Sequence, residues 1–572
     1  MYCLINGHRA IPSGSVKVTL ENPRVSNSGE YTYDVSFPLD VDENAEAFGL
    51  MGRIDVSKSR LLDYDDCKLF GSNKLLIVGV GTVTGITDKE LKLQIVGGKS
   101  SINYRLERDN LWIDQMNFPD VVTAEDKAAL DCRRLEVATS ALNSKPYLGD
   151  GIAYAGFTVG NTTTGEAYNA FTLTPPASSY DDYIARPMYM ANLMRVMRYV
   201  FSALGYTVQR NVFETSPWDQ LYIVHINKSK TIAGMLPHWK AKTLLDEFKL
   251  LFNANYIIDE INKTVSIVSA TGITTGVVRR LDVADDFSMQ YDDEGLKLAS
   301  TDNLRYNLQQ CDEPACVEEI DPELLQSLSV ATYQTVPDMN SAVASMTDEQ
   351  VLTTLFYVQS SGYFYFKIED GVRRSVQCAY FQQLTREGNS PTGQTTTLRM
   401  VPAVTMICNY RGRTMICPAA EGPDTDLNLA DELDNYITIE EILTGQEEAP
   451  DNEDSEDEVM PLAFLGKIFR AYNLYGFTDI RITQLPLGNK AWSLSLSTAQ
   501  ALITIGRLHT GTPAVDRNHQ MVYKVLLGDT IPSAGDLFII RGHRYLCSKL
   551  ELTVTATGID SVATGYFNEI LG

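Results

Sequence analysis

The residues of this sequence that could do chemistry fall into a few short groups, and each is met first by its spacing. The run "VGVGTVTG" at 78–85 puts Gly79, Gly81 and Gly85 close to the pattern of a dinucleotide-binding turn, in which glycines let the backbone approach a pyrophosphate. Thr84 stands where the third glycine belongs and no helical pattern follows, so these read as glycines of β-turns or bulges. "GGKSS" at 97–101 resembles the end of a phosphate-binding loop. Leu93, however, occupies the position five before Gly98 where such a loop starts with glycine, and "INYRL" after it reads as a strand. "DVDEN" at 40–44 sets Asp40, Asp42 and Asn44 at the alternate positions of a calcium loop, but Ala45 replaces the turn glycine and Met51 the closing bidentate Glu. Asp42 reads instead as the cap of a short helix.

Cysteine and histidine offer no stronger constellation. Cys311 and Cys316 in "CDEPAC", and Cys408 and Cys417 around a hairpin-like "NYRGRTMI" that would bring them opposite, each lack the second ligand pair of a structural zinc site. The nine cysteines, at 3, 67, 132, 311, 316, 378, 408, 417 and 547, are an odd number without framework spacing, which implies free and mostly buried thiols. His8, His225, His238, His509, His519 and His543 are scattered, with no H-x-x-x-H spacing and no G-x-S-x-G elbow to pair with. His238, beside Trp239, reads as the entry staple of the helix that starts near 241. The residues therefore single out no catalytic, cofactor-binding or metal site, and function has to be read from the elements.

Those elements are mostly strands around one α+β centre. In "LPHWKAKTLLDEFKLLFNANYIIDEINKTVSIV" (236–268), Leu244, Leu245, Phe248, Leu251 and Phe252 form a single helical stripe; Asn253 ends it, and two strands follow around a turn at Asn262 and Lys263. The same grammar stands upstream in "RPMYMANLMRVMRYVFSALGYTVQ". There Met190, Leu193, Met194, Met197, Phe201 and Leu204 make the stripe, Pro187 opens it and Gly205 stops it before a strand. Each fully buried Leu, Phe or Met is worth about 1.5–3 kcal/mol, so these stripes dictate a compact core.

Along the whole chain the spacing predicts six segments. Residues 1–105 are a strand-dense N-terminal β-barrel with one short helix in "DVDENAEAFGLMGRI", where Ala45, Phe48 and Met51 share a face. Residues 106–185 are a β/loop connection, 186–275 the two helix–strand units, and 276–420 a second β domain with a brief helix in "DPELLQSLSVAT". Residues 421–460 form an acidic linker or loop, and 461–572 a C-terminal β region that completes a barrel, with "IIRGHRYLC" a tight hairpin. The fold class is mainly β with an α+β insert: several small barrel or sandwich domains plus a helix–strand–hairpin domain.

Composition narrows the function. With 44% hydrophobic residues and no apolar run of the ~18 residues needed to span a bilayer, the chain reads as globular, with no membrane span and residence in a cytoplasm-like compartment. Its net charge of −25 is uneven: no basic residue lies between Arg413 and Lys467, a stretch carrying sixteen carboxylates from Glu421 to Glu458. A like-charge run without apolar anchors reads as a solvated loop, and a surface facing calcium or a basic partner is the alternative. A chain this acidic repels nucleic acid instead of gripping it.

One resemblance carries further. The stretches "VTLENPRV" to "YTYDVSFPLDVDENAEAFG", "FSALGYTV", "MLPHWKAKTLLDEFKLLFNANYIIDEINKTVSIV" and "GDLFIIRGHRYLCSKLEL" with "GYFNEI" resemble the baseplate or tail-tip hub proteins of tailed bacteriophages, especially those of Bacteroidales phages and prophages. The resemblance implies a virion protein assembled in the bacterial host cytoplasm. It implies threefold rings of tail-tube-like β-barrels with α+β domains at the corners, and a lumen through which DNA passes without specific binding. Its partners would be the tail tube, distal tail proteins and a spike or fibre, with no cofactor and no reaction catalysed. The acidic run departs from what such a hub leads one to expect. Two other classes fit the texture: a carbohydrate-binding or adhesion β protein, marked by exposed aromatic platforms, and a cell-wall hydrolase, marked by a carboxylate pair or metal site.

Overall fold

The computed structural model describes residues 1–25, 29–56, 63–118, 190–215, 218–225, 232–274, 277–291, 304–307, 329–358, 396–403, 458–464, 503–510, 515–528 and 530–571, besides Leu494, Leu496 and the backbone of short strands elsewhere. Among these residues the fold is mainly β, with several sheets and a small helical insert, as the sequence pattern predicts. The acidic run to 457, the cysteine pair 311/316 and most of 106–185 lie outside the described residues.

The N-terminal strands are β1 (Tyr2–Ile5), β2 (His8–Ala10), β3 (Val16–Glu21), β4 (Glu30–Thr32), β5 (Val35–Pro38), β6 (Asp63–Gly71), β7 (Lys74–Ile86) and β8 (Glu90–Gly97). Helix α1 (Asp42–Phe48) lies among them. In β3 and β8 buried and accessible residues alternate, the period of a sheet with one face on a core. Asp42 is not the cap expected of it: Val41 precedes the first turn with no side-chain cap bond, and Asp42 and Glu43 lie inside that turn, where negative charge suits the helix dipole. Asn44 does the positional work instead. Buried, it accepts from the Ile11 amide at 2.6 Å and donates to the Ile11 and Pro38 carbonyls at 2.9 and 2.8 Å.

All three glycines lie within β7 beside irregularities of its pairing, as the bulge reading expects: Gly81 and Gly79 pair with Tyr64 and Cys67 on either side of a register shift against β6, and Gly85 borders one against β8. The physical reason at Gly79 is crowding, since a Cβ there would sit 1.8 Å from the Val96 carbonyl oxygen of β8.

"INYRL" is not a strand but part of helix α2 (Lys99–Asp109), because Ile102 and Leu106, four apart, are both buried against the helical centre. In that centre α3 (Leu193–Ala203) begins at an Asn192 cap, later than Pro187 suggests, with the cap oxygen accepting from the Arg195 amide at 3.2 Å. Gly205 at φ 84° ends α3 before β9 (Thr207–Asn211). Helix α4 (Ala241–Phe252) ends at Asn253 in the left-handed conformation, φ 47°. It leads into β10 (Ala254–Asp259), a turn with Lys263 at φ 50°, and β11 (Thr264–Ser269). The three strands pair in the order β9–β11–β10, with β9 parallel and β10 antiparallel to β11. The stripes foreseen for α3 and α4 are buried.

The C-terminal part rejoins the beginning. Strands β12 (Val278–Arg280), β13 (Val283–Tyr291), β14 (Val515–Leu526), β15 (Leu537–Ile540), β16 (His543–Thr555) and β17 (Val562–Ile570) belong to the same fifteen-stranded sheet as β1 to β8. Its path runs β2–β1–β6–β7–β8–β4–β3–β16–β17–β14–β13, and no closed barrel is found among the described residues. The join is β3 against β16, antiparallel, pairing Val16 with Val554, Val18 with Leu552 and Leu20 with Leu550. The expected hairpin is there between β15 and β16, turning on Arg541 and Gly542 at φ 51° and 91°.

The segment "SVAT" that the sequence assigns to a brief helix is the strand Ser329–Tyr333. Helices α5 (Val336–Val343) and α6 (Asp348–Leu352) follow it instead, each opened by a capping box, at Thr335/Asp338 and Thr347/Gln350.

Candidate functional site

None of the residues first weighed for chemistry converge. The amino end of α2, where "GGKSS" suggests a phosphate cradle, is filled by Gly29: a Cβ on it would lie 2.7 and 3.0 Å from the Lys99 and Ser100 amide nitrogens. The Gly29 amide itself donates to Ser100 Oγ at 2.8 Å. Lys99 donates its ammonium to the Pro23 carbonyl. Strands 405–410 and 413–420 do form the expected hairpin, but its register sets Cys408 opposite Met415 and Cys417 opposite Met406, two residues out of line. Cys3, Cys67 and Cys547 are free and buried, and burial pushes all three thiols up, away from the reactive thiolate.

The histidines serve their own neighbourhoods. His519 bonds Asp516 at 3.0 Å, His543 bonds Glu569 at 2.8 Å, His8 lies 3.6 Å from Glu46, and His509 Nε2 meets the Leu251 carbonyl at 3.0 Å. Among the described residues no group of three or more metal-ligating side chains forms, and no helix is long and apolar enough to cross a membrane.

A cluster of ionisable groups surrounds the entry to α4. His238 stacks flat on Trp112, ring centroids 4.0 Å apart, and its Nδ1 meets Asp114 Oδ2 at 2.8 Å. The His238 amide donates to Glu458 Oε2 at 3.0 Å, and Trp239 Nε1 donates to the Glu458 carbonyl at 3.2 Å. Burial, followed by nearby Asp114, holds the Glu458 carboxyl above its ordinary value against the opposing pull of His238. Trp239 is fully buried, so it supplies the apolar anchor that the sequence reading shares with His238. An aspartate that orients an imidazole makes two of the three members of a catalytic triad. Here its surroundings are a stacked indole and the carboxylate of Glu458, and the cluster ties Glu458 to the core just before the strand Met460–Phe464. Glu247 of α4 does similar work: buried, it accepts from the Arg399 and Met400 amides at 2.8 and 3.2 Å and holds the strand Met400–Pro402 against the helix.

The feature that looks outward is the end of the sheet. Strand β13 pairs only with β14 among the described residues, and from Asp285 to Tyr291 it is exposed on both faces. Phe287, Met289 and Tyr291 alternate onto one face and are 60%, 58% and 64% exposed. Phe287 lies against Tyr523 and Tyr291 against His519 of β14. The first half of this edge is charged, with Asp285 and Asp286 in the strand and Arg541 bonded to the Ala284 carbonyl at 3.3 Å and to Asp285 at 3.0 Å, but no charged residue or Pro stands from Phe287 to Tyr291; the opposite edge, β2, is three residues long and carries His8 and Arg9. An unpaired, apolar edge is a template for another chain, and a short charged one is not. Alternation in "DDFSMQY" was the signal in sequence, but nothing there could say that the strand stands last in its sheet.

Comparison with known proteins adds little weight. No protein-family model matches the chain, and no curated protein matches it. Among solved structures it is similar to the 43 kDa tail protein of prophage MuSo2 from Shewanella oneidensis, with TM-score 0.29 and 7% identity over 99% of this chain and 96% of that one. It is also similar to a tail protein from Neisseria meningitidis MC58, with TM-score 0.26 and 8% identity over 99% of this chain and 95% of that one. At such scores the case rests on residues.

Proposed function

We propose that this chain is a structural protein of a phage tail, a hub of the tail tip or baseplate that works by binding copies of itself and other tail proteins and catalyses no reaction. The observation that carries the reading is the edge strand β13, with Phe287, Met289 and Tyr291 exposed on one face, in a sheet that takes strands from both ends of the chain. Its occupant is a second copy: one edge of the sheet is protected and the other is not, which suits a head-to-tail contact that closes into a ring. The resemblance noted in the sequence makes that ring a homotrimer in the virion tail, assembled in the host cytoplasm. It receives the tail tube and distal tail proteins on one face and a spike or fibre on the other, and surrounds the path of the DNA. The six-segment organisation is kept as part of this proposal, with 278–291 working alongside the terminal segments.

A sugar-binding reading would need an exposed aromatic platform: the described tryptophans, Trp112, Trp218 and Trp239, are buried, and the exposed rings Phe287 and Tyr291 stand on the edge strand that this proposal assigns to assembly. Mass measurement of the purified chain by light scattering tests the proposal. The native chain runs at three times its monomer mass, and Phe287→Asp with Met289→Asp lowers it to one. A native chain that stays monomeric at tens of micromolar contradicts the reading.

A further inference from the structure

The chain contains one Asn-Gly pair, Asn6–Gly7, and it forms the turn that joins β1 to β2. Ile5 and His8 face each other across it, and both turn residues lie in the left-handed region, φ 47° and 88°, as a two-residue hairpin turn of this hand requires. Both are exposed, and a Cβ on Gly7 would meet nothing within 4 Å. The Asn6 side chain is held against β6. Its Oδ1 accepts from the Asp66 amide at 3.1 Å, and the Asn6 amide donates to the Asp66 carbonyl at 2.8 Å. Among the described residues no acceptor takes the Gly7 amide.

We infer that Asn6 is a site of spontaneous deamidation with isoaspartate among its products. The Gly7 nitrogen attacks Asn6 Cγ and loses its proton to water; the side-chain amide leaves as ammonia, and a succinimide ring closes. Water then opens the ring at either carbonyl, so one water is consumed and one ammonia released, and aspartate or isoaspartate stands at position 6. Three features of the turn favour the attack. Gly7 has no side chain to shield its nitrogen, and that nitrogen gives up no hydrogen bond on reacting. The Asp66 amide, thirdly, already donates to the oxygen on which charge develops in the tetrahedral intermediate. Isoaspartate carries the main chain through its side-chain carbon and adds a backbone atom, which a two-residue turn cannot absorb without slipping β2 along β1. Strand β2 covers β1, and without it β1 becomes the last strand of the sheet. The site is independent of the hub reading and stands or falls on its own test.

That test is peptide mapping by mass spectrometry of the full-length chain after incubation at mildly alkaline pH, with Asn73 as the internal reference. Asn73 stands at φ 62° in the exposed turn between β6 and β7 but is followed by Lys74. Asn6 should give two products separable by chromatography, aspartate and isoaspartate, roughly tenfold faster than Asn73, because a glycine nitrogen is the less shielded. It should convert at least as fast in the folded chain as in the chain unfolded in urea, which isolates the part played by the Asp66 amide. Hydrogen exchange on the isoaspartate form should show the amides of His8–Ala10 losing protection while β7 and β8 keep theirs. The Asn6→Asp chain, which has the new charge without the added atom, should keep β2 protected. Conversion of Asn6 no faster than that of Asn73 overturns the inference. So does a folded chain that converts more slowly than the unfolded one, or an isoaspartate form whose β2 amides stay protected.

Discussion

The two well-packed regions of this chain are built in opposite ways. The helical centre takes α3, β9, α4, β10 and β11 from one stretch of sequence, and its helices and strands pack on their own neighbours, Phe248 on Phe252 at 4.5 Å and Tyr256 on Phe201 at 5.3 Å. The large sheet takes its strands from both ends of the chain, and its join pairs residues more than 500 positions apart, Val18 with Leu552 among them. Local contacts form early and cheaply, whereas a sheet whose pairing waits on the last strands bears the loop-closure entropy of everything between. The difference predicts that the two regions fail separately.

The largest effects come from cutting each core. Phe248→Ala should cost about 3–5 kcal/mol and Leu552→Ala about 2–5 kcal/mol. What separates them is where the chain opens. Limited proteolysis of Phe248→Ala should cut within 190–274 first and spare the sheet, whereas Leu552→Ala should release both residues 1–25 and 543–571. If Leu552→Ala loosens only the C-terminal strands, the claim that β3 and β16 share one fate is lost.

The seam between the regions gives a smaller effect that depends on pH. Arg24 and Asn255 cross it, the Asn255 amide donating to the Arg24 carbonyl at 2.6 Å and Arg24 to the Gly272 carbonyl at 3.2 Å. Two titrating groups lie there. Burial, then Glu260 and Asp259, raises Glu30 from 4.5 to about 7, so the folded chain holds a proton that the unfolded one has lost, and stability falls as pH rises from about 4.5 to 7. Lys99 is lowered from 10.5 to about 7, so the unfolded chain binds the extra proton, and stability rises with pH from about 7 to 10.5. Their joint contribution is least near pH 7. Urea midpoints across that range should flatten on the acid side in Glu30→Gln and on the alkaline side in Lys99→Met, and equal slopes in all three proteins would remove both groups from the seam.

Legibility in the sequence follows the same division. The stripes of α3 and α4, the left-handed Asn253 and the turn at Lys263 could all be read because each depends on residues within two turns of one another. Helix α2 reads as a strand in the sequence because Ile102, Tyr104 and Leu106 also satisfy strand alternation, and only packing on the helical centre chooses between the periods. Gly79 was legible as structural but not for its reason, since the Val96 carbonyl that excludes a side chain belongs to another strand. The edge β13 was legible as a strand and not as an edge, because being last in a sheet is a property of every other pairing.

The claim on which the functional account rests is that β13 is an assembly edge, and hydrogen exchange tests it most directly. The backbone amides of 285–291 should exchange fast in dilute, monomeric chain and become protected as concentration drives assembly, while amides of β3 and β16 stay protected throughout. An assembled form in which 285–291 still exchanges as fast as in the monomer would contradict the account.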